Sequence, residues 1–176
     1  MAQARFFEDP EFLRAKHLML LFQVVCLVAL LFLPILQLEL TTTEYRTGDI
    51  IITATGYTSP VSEAINVPPL TPPGVLAGLY AMNILLAVAV ATRYLKRQAQ
   101  ASLAKTNLIY SLMVLLGFGI LAYMWMSQLN TDSIAFIDPA FTPGLILVLV
   151  PPMFAILAYI YVRQDLKKLK SAERFW

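Results

Sequence analysis

Four neutral polar side chains stand inside otherwise apolar stretches of this 176-residue chain: Gln23, Asn83, Asn107 and Ser111. Amides and a hydroxyl do not trade protons at neutral pH as carboxylates or imidazoles do. In an apolar setting they can hydrogen-bond between helices, at about 0.6–2 kcal/mol per contact, or line a small pocket for a quinone or similar ligand. Interhelical bonding is the simpler reading. The hydroxyls of Tyr80, Tyr110 and Tyr123 belong to the same set.

Other chemistry finds few residues to carry it. His17 is the one histidine, which rules out internal bis-His haem ligation. A His–Met site is formally open, since there are seven methionines, but nothing marks a pair. Histidine at the edge of an apolar run is most simply an interfacial polar residue. Structural zinc needs several Cys or His ligands, and His17 and Cys26 are the whole supply. Cys26 reads as a packing residue. The sequence has no Gly-rich phosphate loop, no G-x-S-x-G and no clustered carboxylate pair. No catalytic residue, metal or cofactor is expected.

The elements that must position these side chains follow from where charge is missing. Residues 17–38, 64–92, 106–131 and 139–162 contain no Asp, Glu, Lys or Arg. Each exceeds the roughly 20 apolar residues that cross a 30 Å hydrocarbon layer. Trimmed to their apolar parts, they predict spans at 18–36, 75–92, 108–126 and 144–162. Backbone groups in lipid must be satisfied within the segment, so such runs predict helices. A transmembrane barrel would need alternating segments of about ten residues, and none occurs. The expected architecture is an all-α integral membrane protein, one domain over 1–176, built as a four-helix bundle with a small extracytoplasmic β-hairpin-like loop.

Composition agrees. Hydrophobic residues make up 59% and charged residues 14%, with a mean hydropathy of +0.69. This excludes a disordered chain, a coiled coil and a water-soluble enzyme, none of which could cover its surface with so little charge. The net charge of +2 hides an asymmetry. Twelve of the thirteen Lys and Arg residues fall in the head (1–17), the loop 93–107 and the tail (163–176), and the exception is Arg46. By the positive-inside rule both termini are cytoplasmic, and loops 37–74 and 127–143 lie outside. Arg93, Lys96, Arg97, Lys167, Lys168 and Lys170 form a basic inner rim. It reads as a topology signal with contact to anionic phospholipid, and not as a nucleic-acid site. The first span is expected to be a retained helix and not a signal peptide, because Gln37-Leu38-Glu39-Leu40 follows it where a small-residue cleavage site would stand.

The first outer loop predicts a hairpin. Residues 38–46 alternate in part, Thr47-Gly48-Asp49 reads as the turn, and 50–55 is a β-branched run. Pro60, Pro68, Pro69, Pro72 and Pro73 then stop regular structure. A lone hairpin is marginal, so this one is expected to lean on the helix ends, on the other outer loop or on another protein. Asp9 before Pro10 predicts a helix start. Gly74-x-x-x-Gly78, with Ala87, Ala91, Gly117 and Gly119, offers close-approach points for helix packing. Pro34, and Pro151-Pro152 in the fourth span, should bend their helices.

Two segments carry a resemblance. The stretch Tyr94-Leu95-Lys96-Arg97-Gln98-Ala99-Gln100, leading to Asn107, is similar to a basic-plus-Gln run before a helical Asn in an uncharacterised family of four-helix bacterial inner-membrane proteins, largely from the Bacteroidetes, catalogued as a domain of unknown function. The tail from Asp165 to Arg174 resembles that family's terminal pattern of acid, bases, Leu, then Lys/Arg-Ser-Ala-acid-Arg. The likeness is best over 93–126 and 142–175. The head departs, with sixteen residues before the first span where the family starts almost at once. The resemblance implies a fold and a bacterial inner-membrane location; it brings no activity.

Three function classes follow. The first is a non-catalytic accessory or assembly subunit of a larger inner-membrane complex, respiratory or secretion type, partnered by other integral membrane proteins. The second is a small transporter or channel subunit lined by Asn83, Asn107, Ser111 and the Pro151-Pro152 kink. The third is a redox subunit contacting quinone or haem through His17.

Overall fold

A computed structural model describes residues 10–42, 47–58, 70–93, 96–129, 134–140 and 142–173. The chain is mostly helical, with four helices long and apolar enough to cross a membrane and one small sheet. In order, the elements are α1 (Pro10–Phe32), β1 (Leu36–Thr42), β2 (Thr47–Ile52), β3 (Tyr57–Thr58), α2 (Gly74–Thr92), α3 (Arg97–Leu129), β4 (Ile134–Ala140), α4 (Pro143–Val148) and α5 (Val150–Glu173). They divide into two compact units. Unit 1 is Met1–Leu27, Met82–Leu112 and Val150–Trp176; unit 2 is Val28–Ala81 and Met113–Leu149. The stretches composing unit 1 carry twelve bases and five acids, and those of unit 2 carry Arg46 against six acids.

Each long helix buries a seam spaced alternately by four and three residues. In α1 it is Lys16, Leu20, Gln23, Leu27 and Leu30; in α2 it is Leu76, Tyr80, Asn83, Ala87 and Val90. In α3 it runs Gln100, Ala104, Asn107, Ser111, Val114 and Phe118, and in α5 Pro151, Ala155, Ala158 and Val162. This 3.5-residue period lets side chains of neighbouring helices interlock at shallow crossing angles. The seam mixes amides, alanines and a lysine with leucines and valines, while Leu85, Leu116 and Phe32 are 64%, 69% and 78% exposed. Large apolar side chains turned outward in such numbers depart from a water-soluble protein's surface.

Unit 1 packs Leu20, Ala87, Val90, Ala104, Ala158 and Val162 at its core, with Phe22 stacked on Phe154 at a centroid distance of 5.6 Å. The alanines permit close helix approach, which drives association where apolar burial cannot.

Unit 2 contains an antiparallel sheet in the order β3-β2-β1-β4. Leu36, Leu38 and Leu40 alternate inward and meet Ile52, Ile50 and Gly48 across the β1–β2 ladder. A loop expected to form a hairpin therefore forms the centre of a four-stranded sheet. β4 comes from the second expected loop and takes Pro139 at the sheet edge, where a missing donor does least harm. Thr47-Gly48-Asp49 is not the turn: all three lie in β2, paired with Thr41, Leu40 and Glu39. The alternation of Leu36, Leu38 and Leu40 sets the register, and residues 43–46 lie outside the described residues. Most of the Pro-rich stretch, 59–69, lies outside them too, as does Asp9.

The expected bend at Pro34 is a helix end. Leu33 N–H bonds Ala29 O at 3.0 Å, and Pro34 has no N–H to continue the ladder. The expected bend at Pro151-Pro152 is a break just before them, between α4 and α5 at Leu149. Neither proline can donate to the carbonyl four residues back, so the helix is interrupted there. Thr142 caps α4, its Oγ1 accepting from Leu145 N at 3.2 Å and donating to Ile35 O at 2.7 Å. Gly144 packs so tightly behind it that a Cβ would fall on the Pro34 carbonyl.

Candidate functional site

The four polar residues singled out in the sequence meet inside unit 1. Gln23 comes from α1, Asn83 from α2, and Asn107 and Ser111, one turn apart, from α3. All are buried. Gln23 Nε2 lies 3.1 Å from Asn83 Oδ1, 3.3 Å from Asn107 Oδ1 and 3.2 Å from Ser111 Oγ. The two hydrogens of this amide serve three acceptors, so at least one is shared. Asn107 Nδ2 donates back to Gln23 Oε1 at 3.0 Å, and Ser111 Oγ donates to Asn83 Oδ1 at 3.0 Å. The cluster is neutral and its members satisfy one another. Its chemistry is to bind three helices together, since it contains no group that ionises in the ordinary pH range.

Nearer the starts of α1 and α3, with Lys16 seven residues before Gln23 and Arg97 ten before Asn107, lies a charged layer that the sequence did not reveal. Lys16, fully buried, donates from Nζ to Asp165 Oδ2 at 3.0 Å, and Arg97 Nη1 reaches the same oxygen at 2.7 Å. The carboxylate of α5 thereby joins α1 and α3. Arg97, expected on the lipid-facing basic rim, is half-buried in this pair, because the Asp165 carboxylate holds its guanidinium inward. Gln100, fully buried on the same seam, donates to Val90 O at 3.1 Å, and its Oε1 has no partner. A faint signal existed: Lys16 stands seven residues before Gln23, and Gln100 seven before Asn107. Both are polar residues in register with the seam.

The remaining expected residues are more scattered. Arg93, Lys96, Lys167 and Lys168 are exposed, and the side chain of Lys170 lies outside the described residues. Gly74, Gly78 and Gly119 have nothing within 4 Å of the point a Cβ would occupy, and Gly117 has only Leu79 Cδ1 at 3.9 Å. They are not close-approach points among the described residues. Alanines fill that role, and the glycine that does is Gly144. Pro151 and Pro152 are buried. Cys26 is half-buried and makes no disulfide. Tyr80 is buried with its hydroxyl unpartnered, Tyr110 is half-buried and Tyr123 is exposed. His17 stands at one end of an apolar groove of about 570 Å³ between α1 and α2.

Unit 2 has a polar clamp of its own. Thr71, just before α2, receives from Trp125 Nε1 on its carbonyl at 2.9 Å, while Gln128 accepts from Thr71 N at 2.9 Å and donates to Thr71 Oγ1 at 2.7 Å. Sequence offered no sign of it, because the contact joins residues more than fifty positions apart.

Fold and site together define a mostly helical protein whose four long apolar helices suit a membrane, with neutral amides buried at the core. The chain belongs to the family described as a domain of unknown function, DUF4293, whose model matches residues 14–175. The match extends into the first helix, where the short motifs had matched only in layout. No curated protein matches the chain.

Proposed function

We propose that this protein is a multi-pass protein of the bacterial inner membrane, with both termini cytoplasmic, acting as a non-catalytic accessory or assembly subunit of a larger membrane complex. The orientation rests on the placement of charge along the chain: twelve of the thirteen bases fall in 1–17, 93–107 and 163–176, while 37–74 and 127–143 carry six acids against Arg46. The subunit role rests on one observation. Seven polar side chains carried by the long helices are turned on each other, in the Gln23–Asn83–Asn107–Ser111 cluster and the Lys16–Asp165–Arg97 layer. Polar residues arranged this way specify helix packing and give the bundle a defined shape to present to partners.

Purification of the tagged protein from native membranes in mild detergent, followed by mass spectrometry, tests this. Stoichiometric integral membrane partners are expected. A clean monomer from gently solubilised membranes overturns the subunit reading, and alkaline extraction of the chain overturns the membrane reading.

A further inference from the structure

The groove between α1 and α2 has one polar end. Leu20, Leu21 and Val24 line it from α1, and Ala87, Val88 and Ala91 from α2, with His17 last. It exists because α2 presents two alanines, one turn apart, to the branched side chains of α1. The helices run antiparallel here: Gln23 bonds Asn83, while Leu20 packs with Ala87 and Val90. His17 is therefore level with Ala91, where α2 ends. Arg93 follows immediately and Lys96 stands in the turn to α3, both exposed. Within unit 1, then, an apolar groove terminates among exposed positive charge.

The volume, about 570 Å³, falls in the range that holds a single small ligand. A partner helix would find no use for charge confined to one end, and a quinone headgroup, being neutral, would gain little from it. An amphiphile with an anionic head and a hydrocarbon tail matches both parts, since bases beside a membrane surface attract anionic headgroups at short range. We propose that the groove holds an acyl chain of an anionic phospholipid, its phosphate against His17, Arg93 and Lys96. Such a lipid would complete the α1–α2 face as a tightly held component of the protein. The inference rests on the membrane-spanning reading.

The test uses the full chain, solubilised in mild detergent and incubated with phosphatidylglycerol or phosphatidylcholine micelles, with bound lipid read by native mass spectrometry. The wild type should retain one phosphatidylglycerol and little phosphatidylcholine. Arg93→Gln and Lys96→Gln should each weaken retention about fivefold. Ala87→Phe with Ala91→Phe should abolish it by filling the groove; Val88→Trp, at an exposed lining position, does the same with less demand on the fold. Equal retention of the two lipids, an isoprenoid quinone bound instead, or undiminished retention by folded Val88→Trp each overturns the site. Alkaline carbonate extraction run in parallel separates the two failures: a chain that stays in the membrane yet shows no lipid preference loses the site alone, and a chain released by carbonate loses both.

Discussion

Gln23 and Asn107, 84 positions apart, exchange a reciprocal pair of amide hydrogen bonds at 3.3 and 3.0 Å. Each side chain is donor and acceptor to the other, so neither can be removed without stranding its partner. Asn107→Leu leaves Gln23 Oε1 without its donor in an apolar core and is expected to cost about 1–2 kcal/mol. Gln23→Leu removes more, because Gln23 also serves Asn83 and Ser111. The double variant should cost clearly less than the sum of the two. Thermal unfolding in detergent measures this, and strict additivity would show that the pair is not coupled.

The Lys16–Asp165–Arg97 layer predicts an unequal response. Asp165→Asn strips two cations of their shared carboxylate, and Lys16 has no access to solvent. Breaking a buried pair on one side costs about 3–5 kcal/mol. Arg97→Gln should be milder, because Lys16 keeps its carboxylate. Lys16→Met combined with Asp165→Leu should recover much of the loss. Melting temperatures of the three variants in one detergent decide the order.

Glycine position matters in one place. Gly144→Ala would drive a methyl group onto the Pro34 carbonyl, with Ile35 Cα only 3.0 Å away, and both obstacles are backbone. Loss of stability or of folding is expected, visible as aggregation on size exclusion. Gly78→Ala and Gly119→Ala meet open space and should be neutral or stabilising by about 0.5–1 kcal/mol, since alanine suits a helix better than glycine.

The sheet places three acids in one row. Glu39 of β1 faces Asp49 of β2 on one side and Asp138 of β4 on the other. Gln37 relieves Asp49 through a 3.3 Å bond. Like charges opposite one another destabilise a sheet by about 0.2–1 kcal/mol, and salt screens them. Glu39→Gln should raise stability at low ionic strength, with the gain shrinking at high salt. A gain independent of salt would show that repulsion is not the cause.

Much of the architecture was legible because it depends on local composition. Charge-free runs of this length have few options, and the bias of Lys and Arg is visible without coordinates. A strand through Leu38 and Leu40 was expected, while Leu36, read as the end of the first span, belongs to that strand too. The turn was misplaced because Thr47-Gly48-Asp49 has turn-like composition, while the pairing of Leu38 with Ile50 outweighs it. The four polar residues could be named but not joined. Any of them could have faced another helix, a ligand or water, and only packing chooses.

The sequence alone determines that four helices suit a membrane and which ends carry the positive charge, because both follow from residue counts along a line. Tertiary structure decided that Gln23, Asn83, Asn107 and Ser111 form one network, that Asp165 joins Lys16 to Arg97, and that β4 completes the sheet. The physical reason is distance along the chain. These contacts bridge up to 149 positions, and such a contact is set by which faces the helices bury, which apolar residues all around each helix conceal.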